Sequence, residues 1–140
     1  MGKLVNRHRT DPARQPTSRR ATGPMIELEI VGESFHQDHI RALRRRYRDR
    51  DFEIVLVAEP ENPDDRTAVT IYVDGGPVGH LSRELAADWQ PMVMSANAAG
   101  FFVAGTASIW GGSADTPHLG VFGAAPWAGR TPAPCGRINR

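Results

Sequence analysis

Apolar and acidic residues alternate through Ile26-Glu27-Leu28-Glu29-Ile30, the period-two pattern of a strand with one face in water. Gly32 ends that run. Ile40, Leu43 and Tyr47 then recur at i, i+3 and i+7, which predicts a helix whose other positions hold Arg41, Arg44, Arg45, Arg46 and Arg48. From Phe52 to Ala58 both alternating faces are largely apolar, so this strand is expected at the centre of a sheet. Glu59-Pro60-Glu61-Asn62-Pro63-Asp64-Asp65-Arg66 is a loop, because its two prolines cannot continue a ladder. A third strand over 68–73 turns through Asp74-Gly75-Gly76 into a short fourth over 78–81, and Asp-Gly between apolar runs is a hairpin signal.

Ser82 reads as an N-cap, with Glu84 in the first turn of a second helix and Leu85, Trp89 and Met92 on one face. Pro91 lacks an N–H, so this helix is expected to break near Gln90. Residues 101–110 form a fifth strand, Gly111-Gly112 a turn and 119–122 a sixth. Short strands with an interposed helical segment predict a small, partly closed β-barrel. Residues 1–23 are rich in Arg, Pro, Ser and Thr without apolar periodicity and are expected to be a disordered basic tail. A disordered Pro/Gly/Ala/Arg tail is expected over 123–140, leaving 24–122 as the domain.

Charge changes the picture more than composition does. The chain of 140 residues has a net charge of +1. Residues 1–23 set Lys3, Arg7, Arg9, Arg14, Arg19 and Arg20 against Asp11, a net +5, and residues 123–140 add Arg130, Arg137 and Arg140 with no acid. The stretch between them therefore carries −7. A body of that sign does not hold a polyanion by bulk attraction, so any nucleic-acid binding must come from a local patch, a specific pocket or the basic tails. All cations but Lys3 are arginine, a bias that carries no functional information.

Several chemistries are disfavoured. Cys135 is alone, which leaves no intrachain disulfide and no cysteine-based zinc site. No apolar run approaches ~18 residues and no secretory signal opens the chain, so a cytoplasmic protein without membrane contact is the default expectation. The start at Met1 is coherent with a complete protein. Gly32-Glu33-Ser34-Phe35-His36 has His where a nucleophile elbow needs its second Gly, and the chain is too short for a hydrolase sheet. His36 and His39 lie at i, i+3 with Asp38 between them, but no third converging metal ligand is evident. Asp64 and Asp65 are adjacent and diverge in extended chain. No phosphate-binding Gly-Lys loop exists. The expectation is a non-enzyme that needs no cofactor.

Three blocks, in order, resemble the HIRAN family: Val31-Gly32-Glu33-Ser34-Phe35-His36, then Glu59-Pro60-Glu61-Asn62-Pro63-Asp64-Asp65-Arg66-Thr67-Ala68-Val69, then Val78-Gly79-His80-Leu81-Ser82-Arg83-Glu84-Leu85-Ala86. With the closing strand they cover roughly residues 26–122. The resemblance, to a stand-alone bacterial-type member, implies a mainly β fold: a small OB-like β-barrel of about six strands with one or two short helical segments, flanked by disordered tails. It also implies a function. In the members that begin large fork-remodelling helicases, the barrel groove captures a single-stranded DNA 3′ end, with aromatics on the terminal base, an acid on the 3′ hydroxyl and basic groups on phosphates. Zinc or ATPase labels of those helicases would describe their other domains.

Carried over by position, Phe35 falls where the family places its first stacking aromatic, and Asp65 on the acid that accepts the hydroxyl proton. A carboxylate suits that task because it accepts hydrogen bonds and repels a terminal phosphate. His80 and Arg83 fall on positions that reach the backbone, and Arg41, Arg44 and Arg45 are expected to support them if the helix lies along the groove. Two positions depart from the pattern: Asp64 stands at the second aromatic and Ser34 at an arginine. Each feature also has a plainer reading. Phe35 can be a core anchor at the barrel mouth, Asp65 a turn cap, His80 a packing residue and the arginine run a solvated face. The expected partners are a single-stranded DNA 3′ end and a repair or replication protein. The alternative is a protein-interaction module on the same barrel that has lost the pocket.

Overall fold

The computed structural model describes residues 19–130 and Ala133. Its elements run β1 (Arg19–Arg20), β2 (Met25–Leu28), β3 (Ile30–Val31), a 3-10 turn (Glu33–His36), α1 (Gln37–Tyr47), β4 (Phe52–Ala58), β5 (Val69–Val73), β6 (Gly76–Leu81), α2 (Arg83–Ala98), β7 (Phe101–Gly111) and β8 (Leu119–Pro126). The sheet order is β2-β8-β7-β4-β5-β6-β3, with β1 added beside β7. The two ends of that order, β2 and β3, are halves of one chain segment separated by Glu29 alone. The sheet therefore curls into a nearly closed barrel. The predicted small β-barrel with two helices is what the chain forms, with eight strands where about six were expected.

Alternation in the sequence becomes burial in the barrel. Ile26 and Leu28 point inward while Glu27 and Glu29 stay in water. Strand β4 lies between β7 and β5, the central place its two apolar faces predicted, with Phe52, Ile54 and Leu56 in the core. The β5–β6 turn centres on Asp74 (φ 52°) and Gly75 (φ 84°), the paired left-handed conformation of a type I′ hairpin. Val69, Ile71, Val78, Leu81 and Val103 fill the interior, and each contributes about 1.5–3 kcal/mol through burial. Ile40 and Leu43 of α1 and Trp89 and Val93 of α2 join the same core. Among the described residues, no helix is long and apolar enough to cross a membrane.

The expected break near Gln90 does not occur: α2 runs through Pro91. Pro91 and Ala87, the residue whose carbonyl loses its partner, are both exposed, so the lost bond falls on the solvent face of the helix. The opposite face buries Ala86, Trp89, Gln90 and Val93 without interruption. Packing of that face outweighs the cost of about 3 kcal/mol for an interior proline.

Residues at the inner edge of both expected tails lie in strands instead. Arg19 and Arg20 pair in parallel with Phe101 and Phe102, each guanidinium lies over the ring of its partner, and Arg20 bonds Glu53. Downstream, β8 continues four residues beyond Phe122, and its Gly123–Pro126 stretch is what pairs with β2. Trp127 is buried edge-to-face on Trp89, ring centroids 5.1 Å apart. The remaining tail residues expected to be disordered, 1–18, 131–132 and 134–140, lie outside the described residues. Trp127→Ala is expected to destabilise the fold by about 3–5 kcal/mol in denaturant titration, whereas a loose tail residue would change nothing.

Candidate nucleic-acid interface

Strand β6 carries His80 outward, in register with Val31 of β3 on one side and Thr70 of β5 on the other. Its imidazole lies against the backbone of Gly32. A Cβ built there would stand 2.6 Å from His80 Cε1, and the φ of 82° is itself left-handed, so only glycine suits the position. That glycine starts the 3-10 turn on which Phe35 sits. Phe35 is 83% exposed, so the core-anchor reading does not hold.

The turn is exposed but not loose. Gln37 Oε1 accepts from the Leu119 amide at 2.9 Å, and Gln37 Nε2 donates to the Leu119 carbonyl at 2.8 Å. Glu33 Oε2 accepts from the Val121 amide at 3.2 Å. Two side chains thus supply the ladder bonds that β2 gives to β8 further along, and they fix the platform under Phe35. Beside it opens a groove of about 430 Å³ lined by Ser34, Phe35, His36, Gln37, Asp38, His39 and Pro77.

The loop between β4 and β5 holds its shape through its own polar side chains. Asn62 Oδ1 accepts from the amides of Asp64 (2.8 Å) and Asp65 (3.2 Å), as an Asx turn requires. Asp65 Oδ1 accepts from the Thr67 amide at 2.9 Å and the Thr67 hydroxyl at 2.7 Å. Among the described residues nothing bonds Oδ2. Asp65 is therefore a turn cap through one oxygen and an open acceptor through the other. The two Thr67 bonds, with smaller help from Arg83 and His80, hold its carboxyl below the ordinary carboxylate range despite some desolvation. Asp64 is exposed. Arg83 opens α2, capped by Ser82 Oγ on the Leu85 amide at 3.3 Å, and is exposed with no ion pair among the described residues.

The expected arginine helix divides. Arg45 is exposed and has no ion pair or side-chain hydrogen bond among the described residues, and Arg41 is exposed near Asp38 at 3.5 Å. Arg44 turns the other way: its Nη2 donates to the carbonyls of Ile109 (3.2 Å) and Gly111 (3.3 Å), and its Nε is buried without a partner. That guanidinium ties α1 to the end of β7 through Nη2. His39 is likewise committed, with Nε2 on the Val73 carbonyl at 2.9 Å.

Of two further groups, His36 was weighed in the sequence only as a metal ligand and Trp110 was not singled out. His36, half-buried in the groove wall, has its imidazole pKa lowered by burial and then by the nearness of His80 and His39. Trp110 lies on the outer face of β7, 49% exposed, its indole across Gly120 and 6.4 Å from the His118 ring. A Trp facing a cross-strand Gly was the available signal for it.

Comparison with family models matches residues 24–116 to the HIRAN domain. No curated protein and no solved structure matches the chain. The matched span stops before β8, which the fold nevertheless needs.

Arg44→Ala is expected to cost about 1.5–3 kcal/mol in denaturant titration through its lost charged hydrogen bonds, and Arg45→Ala less than about 0.5 kcal/mol. A pH dependence follows from His36. Its folded pKa lies below the ordinary 6.5, so over that interval the unfolded chain binds more protons and stability must fall as pH falls through it. Melting temperatures recorded from pH 7.5 to 5.5 should drop through that window and level off below the lowered pKa. His36→Gln should reduce the drop.

Proposed function

The chain belongs to the HIRAN domain family, and from that premise we propose that it is a non-enzymatic module that receives the 3′ end of single-stranded DNA in repair or replication. The observation that carries this reading is an aromatic with 83% of its surface in water on a clamped turn, together with an ionised carboxylate that keeps one oxygen open. In this reading the terminal base stacks on Phe35 and the 3′ hydroxyl donates to Asp65 Oδ2. Arg83 and His80 hold the last phosphates, and Arg41 and Arg45 steady the strand further on. A terminal phosphate is refused, because it brings charge to a carboxylate and has no proton to give at neutral pH. Asp64 in place of a second aromatic leaves one face of the terminal base without a ring. The module then presents the end to a partner protein that performs the chemistry.

A second reading has one observation in its favour. Phe122 is 53% exposed on the outer face of β8, beside a shallow hollow lined by Asp51, Thr106, Ser108 and Ala124. An apolar ring bordered by an acid suits a basic protein segment better than a nucleic acid.

Fluorescence anisotropy on the whole chain distinguishes the two readings. The probes are short single strands ending in a 3′ hydroxyl or a 3′ phosphate and a blunt duplex, each at two salt concentrations. The strand with a free 3′ hydroxyl should bind best. Phe35→Ala should weaken it by about one to two orders of magnitude, and Asp65→Ala should remove the preference over the 3′ phosphate. Equal affinity for all three probes, with a steep loss at higher salt, would leave only attraction by the basic tails and favour the protein-interaction reading.

A further inference from the structure

Gln90 is polar in a place where the sequence pattern calls for an apolar residue. It lies on the core face of α2 between Trp89 and Val93, and only 9% of its surface is exposed. Burying an amide is unfavourable unless its hydrogen bonds are replaced. Here they are: Nε2 donates to the Arg66 carbonyl at 2.7 Å and to the Ala68 carbonyl at 3.1 Å. Both acceptors belong to the loop that carries Asp65.

The surrounding bonds show what that grip fixes. The Ala68 carbonyl also accepts from the Glu59 amide at 2.9 Å, the bond that closes the loop, and the Ala68 amide donates to the Asp65 carbonyl at 3.1 Å. Between the two gripped carbonyls stands Thr67, the residue that binds the Asp65 carboxylate through its amide and hydroxyl. Residues 66–68 are thus held from the core side by Gln90 and from the solvent side by Asp65. Arg83 opens the same helix, seven residues before Gln90, about two turns. One rigid element therefore bears the cation and grips the loop that bears the acid.

We propose that Gln90 is the positioning residue of the end-reading pocket: by holding the Arg66 and Ala68 carbonyls it sets the Asp65 carboxylate against Arg83, and so sets the preference for a 3′ hydroxyl over a 3′ phosphate. The inference rests on the DNA-end reading above. It explains why a buried face otherwise built of Ala, Trp and Val carries an amide. It also assigns selectivity to a residue that touches no ligand.

The test is Gln90→Met in the whole chain, which keeps the length and removes the donors. Three quantities are read: the melting temperature, the amide hydrogen exchange of Thr67 and Ala68, and the affinity ratio for strands ending in 3′ hydroxyl and 3′ phosphate. In protein that remains folded, exchange at Thr67 and Ala68 should rise and the ratio should fall about tenfold, while affinity for a circular single strand with no end stays unchanged. If Gln90→Met does not fold, Gln90→Asn keeps the amide but withdraws it by one methylene and should give the same loss of ratio. A folded variant with an unchanged ratio, in a protein whose ratio Asp65→Ala abolishes, overturns the role of Gln90 and leaves the end-reading intact. A wild-type chain with no preference between the two ends overturns the end-reading itself, and this inference with it.

Discussion

A barrel this small depends on one segment serving two edges of the sheet. Residues 25–31 pair with β8 through Met25–Leu28 and with β6 through Ile30–Val31, and the change of partner occurs at Glu29. The Glu29 carbonyl is not lost at that corner, because the Ser82 amide donates to it at 3.0 Å. Had the strand stayed straight along β8, the outer edge of β6 would present unpaired backbone groups to water. The bend removes that liability and leaves a local gap on the seam where β3 and β8 diverge. Gln37 and Glu33 fill it by bonding Leu119 and Val121 with side-chain atoms.

The candidate site is a consequence of that seam. Side chains that complete a ladder need a short, tightly wound segment to present them, and the 3-10 turn is that segment. A turn wound against a sheet edge cannot bury every residue it contains, so Phe35 is left outside. His80 reaches the same seam because β6 is β3's partner, and the Asp65 loop joins it because β5 is β6's other partner. Asp65, Arg83 and His80 come near enough to interact electrostatically, and His80 rests on the glycine from which the Phe35 turn starts.

How much of this was legible in the sequence depended on whether the cause was local. Strand β4 was readable to the residue because its alternation is uninterrupted, and the Asp74-Gly75 turn because its backbone demands those residue types. The continuation of β8 through Gly123-Ala124-Ala125-Pro126 was not, since Gly, Ala and Pro have low strand propensity and pair there because β2 lies along the whole stretch and β7 along Gly123 and Ala124. Pro91 misled for a related reason: propensity predicts a break, and buried Trp89 and Val93 override it. Within the site, Phe35 and Asp65 were visible through their family positions. Arg44 looked identical to Arg45 in sequence, and only the carbonyls at the end of β7 distinguish the structural arginine from the exposed ones.

Charge makes the same case for a local pocket over a general surface. A middle region of −7 repels a polyanion at long range, and screening at physiological salt confines any attraction from Arg83, His80 or Arg45 to about 8 Å. Such a body gains little from the interior of a strand, where each added nucleotide brings another phosphate. At a free 3′ end the balance differs, because the terminal sugar carries a hydroxyl in place of a phosphate and can approach a carboxylate as a donor. In the proposed reading Asp65, with one oxygen already fixed by Thr67, would meet that donor without reorganisation. An acidic middle region is thus compatible with the proposed selective end binder, provided that stacking on Phe35 supplies the affinity that bulk electrostatics withholds.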